Sequence, residues 1–404
     1  MPEPGIPEPL AAAEAPRVLV VTNDFPPRFG GVQQYVANLV ARLPPERVAV
    51  LAPTWAGARA HDAGLAFPVE RHPSTFLWPD AALARRVRDL AAEHGAEVVL
   101  FGHGFPLPLL APGLAAHGIP SVVLTHGAEV WIARSPALGA AFRRGLSGAA
   151  AVTAISRYTA RALAPSIPPG AAFSLLWPAV DERRFAPSPA AAVAARARLG
   201  LGGRPMVLCV SRLVPRKGQD VLIRAMKDLC RLVPEAVLVV AGDGPDRPRL
   251  LRLAEEAPPS SVAFAGAPSD EELPGLYGAC DVFAMPCRSR WGGLEVEGFG
   301  IVYLEAAAAA KPVVAGRSGG AGEAIEDEGT GLLVEGREPK AVALALARLL
   351  SDPGAAARMG GAGRARVEAD YTWDRQAARL VRVLAEAAGR RDGSERLSPG
   401  PPGG

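Results

Sequence analysis

RVLVVTNDFPP, residues 17–27, opens the ordered part of the chain. Val18 to Val21 form a continuous apolar block cut off by a Pro-Pro loop. That pattern predicts a short strand buried on both faces, as in a parallel sheet. Gly30-Gly31 follow, and then VQQYVANLVARL places Val32, Tyr35, Val36, Leu39 and Val40 at helical spacing. Strand, glycine loop and helix make one βα unit.

The unit recurs on either side of an Ala/Pro-rich segment, 186–205. Before it, strands are expected at 47–51, 98–101, 121–127 (ending in His126), 150–155 and 173–176. Helices are expected at 81–93 and from Ser156, a capping residue. After it, PMVLCVSRL is a strand leading into VPRKGQD. Strands at 236–241, 261–265, 281–285 and 312–315 alternate with helices at 219–232, 270–279 and 301–310, and helices 339–351 and 373–387 close the pattern. Two blocks of repeated βα units predict an α/β protein with two doubly wound, Rossmann-like domains.

At 404 residues the chain is long enough for two cores. Hydrophobic residues make up 49% and charged residues 21%, ordinary for a globular protein. The net charge of +3 lacks the dense basic runs of a nucleic-acid binder. Four cysteines without a C-x-x-C pair or a His cluster argue against structural zinc and suit a reducing cytoplasm. The Pro/Ala-rich residues 1–16 and the tail 391–404 are expected to be disordered. No signal peptide is expected, and no window is apolar enough for a transmembrane helix.

Ligands of doubly wound sheets bind at the carboxyl ends of the strands, and the polar residues of interest fall there. Arg212 directly follows a strand, with Lys217 five positions later. A planar guanidinium and a mobile ammonium can neutralise a diphosphate, although a solvated basic loop would offer the same pair. In EGFGIVYLE, 297–305, Gly298 and Gly300 let backbone approach a ligand, and the helix that follows turns its free N–H groups toward it. Glu305, one turn into that helix, could accept hydrogen bonds from a ribose diol. Glu297 precedes the helix. Gly30-Gly31 is a further backbone anion site or a simple turn. His126 ends a central strand, with His103 a less clear second.

These features occur in the order Gly31, His126, Arg212/Lys217, Glu297/Glu305, each after an expected strand. In that order the chain, over about residues 17–390, resembles the retaining glycosyltransferases of family 4, with two domains facing a central cleft (GT-B). NDFPPRFGGVQQY, SRLVPRKGQDVLIRAM, DVFAMPCR and GLEVEGFGIVYLEA resemble more narrowly the phosphatidyl-myo-inositol α-mannosyltransferases that add a second mannose.

The resemblance implies an acceptor-binding domain over 17–190, a nucleotide-sugar domain over 200–372, and a helix at 373–390 returning to the first. It implies that Arg212 and Lys217 grip the donor diphosphate, that Glu305 binds ribose and that Glu297 lies beside the sugar. The amides of Phe299, Gly300 and Ile301 hold sugar and diphosphate, and Gly31 lies near the β-phosphate. His126 lies near the sugar, the base packs by Phe264 and Gly266, and Asn23 and Asp24 face the acceptor. The implied donor is GDP-mannose, with UDP-sugars the alternative; no other cofactor and no metal are expected. The implied acceptor is a phosphatidylinositol mannoside-type lipid, with other glycolipids, glycans or small metabolites as alternatives. A non-catalytic sugar-nucleotide- or lipid-binding module is the reading from another class. A cytoplasmic protein, peripheral on the inner face of the plasma membrane, follows from the lipid acceptor. FLWP at 76–79 and ARSPALGAAFRRG at 133–145 are the candidate membrane contacts. Oligomeric state is open. Ala128, Trp291, the stretch 306–311 and Gly322 depart from the family pattern, which leaves the donor residues intact and the acceptor less defined.

Overall fold

VLVV at 18–21 has no polar side to offer water, and all four residues are buried. The same holds for VVLF at 98–101, MVLCV at 206–210 and VLVVA at 237–241. Strands of this kind need a helical layer on each face. The computed structural model describes residues 15–28 and 30–389. Of the expected disordered extension only Ala15 and Pro16 fall among these, and the tail 391–404 lies outside them.

The chain divides into two compact units. The first holds the residues up to Ala154, 162–176 and those from Ala377 on; the second holds Ile155–Arg161 and Trp177–Gln376. Seven strands build the first sheet: β1 (Val18–Val21), β2 (Val48–Pro53), β3 (Val69–His72), β4 (Val98–Phe101), β5 (Ser121–Thr125), β6 (Ala151–Ala154) and β7 (Ala172–Leu175). Their spatial order is β3-β2-β1-β4-β5-β6-β7, every pairing parallel. The second sheet has β8 (Met206–Val210), β9 (Val237–Ala241), β10 (Val262–Gly266), β11 (Val282–Met285), β12 (Val313–Gly316) and β13 (Gly331–Val334). Its order is β10-β9-β8-β11-β12-β13, again all parallel. Each sheet reverses its winding beside its first strand, between β1 and β4 and between β8 and β11. In doubly wound sheets that switch point opens a crevice at the strands' carboxyl ends.

The division differs in detail from the expected domains 17–190 and 200–372. Residues 155–161 and 177–190 cluster with the second unit. Polar contacts hold them there. The amides of Arg157 and Tyr158 donate to the Glu323 carboxylate at 2.7 and 2.8 Å, and Val180 bridges to Thr372. The Ala/Pro-rich segment itself contains a helix, Pro189–Arg198, capped by Ser188. It lies against the helix Leu273–Ala279, where a Cβ on Gly275 would stand 3.2 Å from the Ala191 carbonyl oxygen. No helix of the described residues is long and apolar enough to cross a membrane.

Gly218 positions the site described next. It caps the helix Gln219–Leu232 at φ +81°, and a Cβ there would meet the Pro286 carbonyl oxygen at 2.1 Å. Gly218→Ala should therefore cost more than about 1 kcal/mol of stability. Urea unfolding measures this, and a wild-type midpoint would contradict the close approach of the loops after β8 and β11.

Candidate active site

The loop after β8 runs Ser211, Arg212, a tight turn at Pro215–Lys217, and Gly218. Gln219, the first helical residue, donates through Nε2 to Ser211 Oγ at 2.8 Å and to the Arg212 carbonyl at 3.1 Å, which folds the loop over the strand end. The loop after β11 is stitched alongside: the Arg288 amide donates to the Arg216 carbonyl at 2.8 Å. Lys217 Nζ thereby reaches Glu297 Oε2 at 2.7 Å, with only 11% and 8% of the two side chains exposed.

Glu297 is held from behind. Its amide donates to Ser318 Oγ at 3.3 Å, and its carbonyl accepts from the Gly320 amide at 2.9 Å. Two residues on, Phe299 is buried against Tyr371. Gly300, at φ +87°, turns the chain into the helix Ile301–Ala308. Among the described residues the amides of Phe299, Gly300 and Ile301 donate to nothing. Exposed Arg212 likewise forms no ion pair among them. A lysine, an arginine and a set of free amides at a helix N-terminus are groups suited to holding an anion.

Glu305 lies one turn into the same helix and accepts a 2.6 Å bond from Tyr277 OH. Burial raises its pKa, against the lowering effects of Tyr277 and Arg184. Phe264 and Gly266 end edge strand β10, both half-buried, where the ladder to β9 shifts register.

The first unit carries a separate constellation. Gly31 begins the helix Gly31–Val40, where an added Cβ would meet nothing. Asp24 accepts from Gln33 Nε2 at 2.6 Å. The Asn23 side chain is committed to the Leu77 backbone, accepting from its amide at 2.7 Å and donating to its carbonyl at 3.2 Å. It therefore anchors the loop that carries Phe76 and Trp78.

His126 lies just past β5 and faces the carbonyl oxygen of Gly102 through Nε2 at 2.8 Å. A carbonyl only accepts, so Nε2 carries the proton and a neutral ring leaves Nδ1 as acceptor. Burial, reinforced by His103, pushes the His126 pKa down. Glu129, which the sequence reading missed, completes this group. It is fully buried, accepts from the amides of His126 (3.0 Å) and Gly104 (3.2 Å), and lies 3.3 Å from His103 Nδ1. Burial opposes its charge, yet His103, His126 and the backbone donors outweigh burial and hold its pKa low. The available signal was an acid three residues after His126, in the first turn of a helix following a strand. Among the described residues no three His, Cys, Asp or Glu side chains are grouped to hold a metal ion.

Two doubly wound units with all-parallel sheets, one carrying Arg212 and Lys217 at its switch point, are the architecture of the two-domain glycosyltransferases. Residues 29–184 match the Glycosyltransferase Family 4 model, and 194–366 match the model of Glycosyl transferases group 1. The GDP-mannose-dependent α-(1-6)-phosphatidylinositol monomannoside mannosyltransferase of Mycolicibacterium smegmatis is 46% identical, covering 93% of this chain and 99% of that protein. The GDP-mannose-dependent monoacylated α-(1-6)-phosphatidylinositol monomannoside mannosyltransferase of Corynebacterium glutamicum is 40% identical, over 91% and 97%. Among solved structures, Anabaena HepE in complex with UDP superposes with a TM-score of 0.75 at 21% identity, covering 91% of this chain and 99% of that one. Sucrose-phosphate synthase of Thermosynechococcus elongatus gives a TM-score of 0.71 at 22% identity, over 90% and 97%. The chain belongs to glycosyltransferase family 4 and has the GT-B fold.

The Lys217–Glu297 pair makes a stability prediction. Lys217→Met leaves a nearly buried carboxylate without its partner, at a cost of about 3 kcal/mol. Adding Glu297→Gln should recover part of that loss. Denaturant melts of both variants measure the difference, and a double variant less stable than the single one would contradict a direct ion pair.

Proposed function

We propose that this enzyme transfers an α-mannosyl residue from GDP-mannose to a phosphatidylinositol mannoside, with retention of configuration. The observation that carries the reading is Lys217 held on Glu297 beside the free amides of 299–301. The relatives named for GDP-mannose and phosphatidylinositol monomannoside support the choice of substrates.

On this reading the donor diphosphate takes Lys217 away from Glu297 and is held by Arg212, Lys217 and the helix N-terminus. Glu297, freed, accepts from hydroxyls of the sugar. Glu305 accepts from the ribose, and the base rests by Phe264 and Gly266. Gly31 and His126 attend the donor phosphate and sugar, and Asp24 attends the acceptor, on a loop that Asn23 helps to fix. The bond from the anomeric carbon to the β-phosphate oxygen breaks through an oxocarbenium-like state. The acceptor oxygen bonds to the same face, and its proton passes to a phosphate oxygen. Preorganised positive charge facing the leaving diphosphate supplies the electrostatic stabilisation, without a metal.

The lipid acceptor implies contact with a membrane surface. In FLWP, Phe76 and Trp78 are exposed with rings 4.8 Å apart, while Leu77 is buried. The stretch 133–145 suits the role less. Its helix, Pro136–Leu146, buries Gly139, Phe142, Gly145 and Leu146.

Labelled GDP-mannose should give a mannosylated lipid where UDP-glucose gives none, and turnover should persist with a chelator. A strict Mg²⁺ requirement would overturn the metal-free scheme. Lys217→Ala should lower kcat about 10²–10³-fold; wild-type turnover would remove the diphosphate role. Glu305 adds a pH signature. Its raised pKa keeps the carboxyl protonated to higher pH than an ordinary glutamate. GDP-mannose affinity should therefore rise with pH through that raised value and weaken below it, and Glu305→Gln should flatten the profile. Calorimetry decides, and a pH-independent wild type would contradict the role of the carboxylate.

A further inference from the structure

A second cationic surface lies in the same unit. A cavity of about 470 Å³ is lined by Arg224, Arg288, Arg290, Arg337, Trp291 and Asp220. Four guanidiniums thus share one carboxylate in the wall. Asp220 is taken up by Arg288, which binds it through both nitrogens at 2.9 and 3.0 Å. Arg290 pairs with Glu295 outside the wall at 2.9 Å, and Arg337 rests on the Ser289 carbonyl at 2.5 Å. Among the described residues Arg224 has only a 3.4 Å contact to Asp220, and it stays half-exposed. Glu335 and Glu338, the nearest other acids in sequence to Arg337, are exposed.

Trp291 stands at the mouth, 69% exposed, with the Arg290 guanidinium 4.6 Å from its ring centre. Its φ is +49°, and Gly292 and Gly293 follow at +63° and +86°. A bulky side chain seldom adopts the left-handed region. Here the turn holds an indole out in solvent, where it gains no burial. An exposed indole beside arginines matches what a membrane surface selects: an amphipathic ring at headgroup level and cations facing lipid phosphates.

The geometry points to an anionic phospholipid surface as the occupant of this patch, the arginines taking lipid phosphates and Trp291 entering the interface. The proposal adds a contact on the second unit to the membrane reading above, and it rests on that reading only in taking the anion from a lipid. The loop lies close to the donor residues, because the Arg288 amide is bonded to the Arg216 carbonyl next to Lys217. Anchoring it would place the donor loops at the surface from which a lipid acceptor comes.

Flotation of the full chain tests this, using phosphatidylcholine vesicles with and without phosphatidylinositol at low salt. Three variants are compared with wild type: Trp291→Ser, Arg224→Gln/Arg337→Gln, and Phe76→Ser/Trp78→Ser. Thermal stabilisation by GDP serves as the check on folding. Wild type should float only with the anionic vesicles. The double arginine variant should partition about tenfold or more weakly; Trp291→Ser should also weaken binding, and both should keep their GDP response. Wild-type flotation of both variants would overturn the proposal. If only Phe76→Ser/Trp78→Ser loses binding, the contact belongs to the first unit and the proposal also fails. No flotation of wild type would sink the membrane reading as a whole. Protection by free glycerophosphoinositol, lost in the arginine variant while wild type fails to float, would make the patch a soluble-anion site and overturn the lipid assignment.

Discussion

An ammonium and a carboxylate 2.7 Å apart tie the loop after β8 to the segment after β11. The rest of the second unit is arranged so that they meet. The strand order brings β8 and β11 together as neighbours. Gly218 lets the backbone following Lys217 pass within reach of Pro286 without a Cβ between them. Ser318 and Gly320, after β12, fix the backbone of Glu297. The carboxylate offsets the desolvation of the lysine. On the proposed reading, an incoming diphosphate offers that lysine a stronger anionic partner, and the charge needed for the reaction would already be in place.

The first unit uses a buried carboxylate differently. Among the described residues no lysine or arginine pairs with Glu129. Two backbone amides and His103 hold it, and it in turn fixes the backbone of His126. Burial, reinforced by His103, favours the neutral ring of His126, and the bond to Gly102 fixes which nitrogen carries the proton. A neutral imidazole is an acceptor at Nδ1 and adds no charge. The second unit, by contrast, concentrates positive charge.

Much of this was legible in the sequence, for identifiable reasons. VLVV, MVLCV and VLVVA are apolar on both faces, which only a parallel sheet with two helical layers accommodates. The helix at 219–232 shows its buried stripe plainly and was placed to the residue. Strand β3 reads VERH, a half-exposed edge with no apolar signal. The helix Pro353–Asp370 was hidden by four glycines; one of them, Gly360, lies so close to Ala310 that a Cβ would stand 2.0 Å from its carbonyl oxygen. The Ala-rich stretch at 186–205 contains a packed helix, Pro189–Arg198, that its composition did not announce. Arg212, Lys217, Glu297 and Glu305 were singled out by the glycines and strand ends around them and by the family resemblance, and the structure brings Lys217 and Glu297 into contact. Glu129 was not, because burial and long-range partners give it its character. The stitching of Arg288 to Arg216 joins residues 72 positions apart, which no local pattern reveals.

The central claim is that the switch point between β8 and β11 is the diphosphate site. A crystal structure with GDP tests it most directly. The account predicts diphosphate oxygens within hydrogen-bond reach of Lys217 Nζ and the amides of 299–301, with Lys217 drawn away from Glu297. A nucleotide bound elsewhere, with the 2.7 Å pair intact, would contradict it.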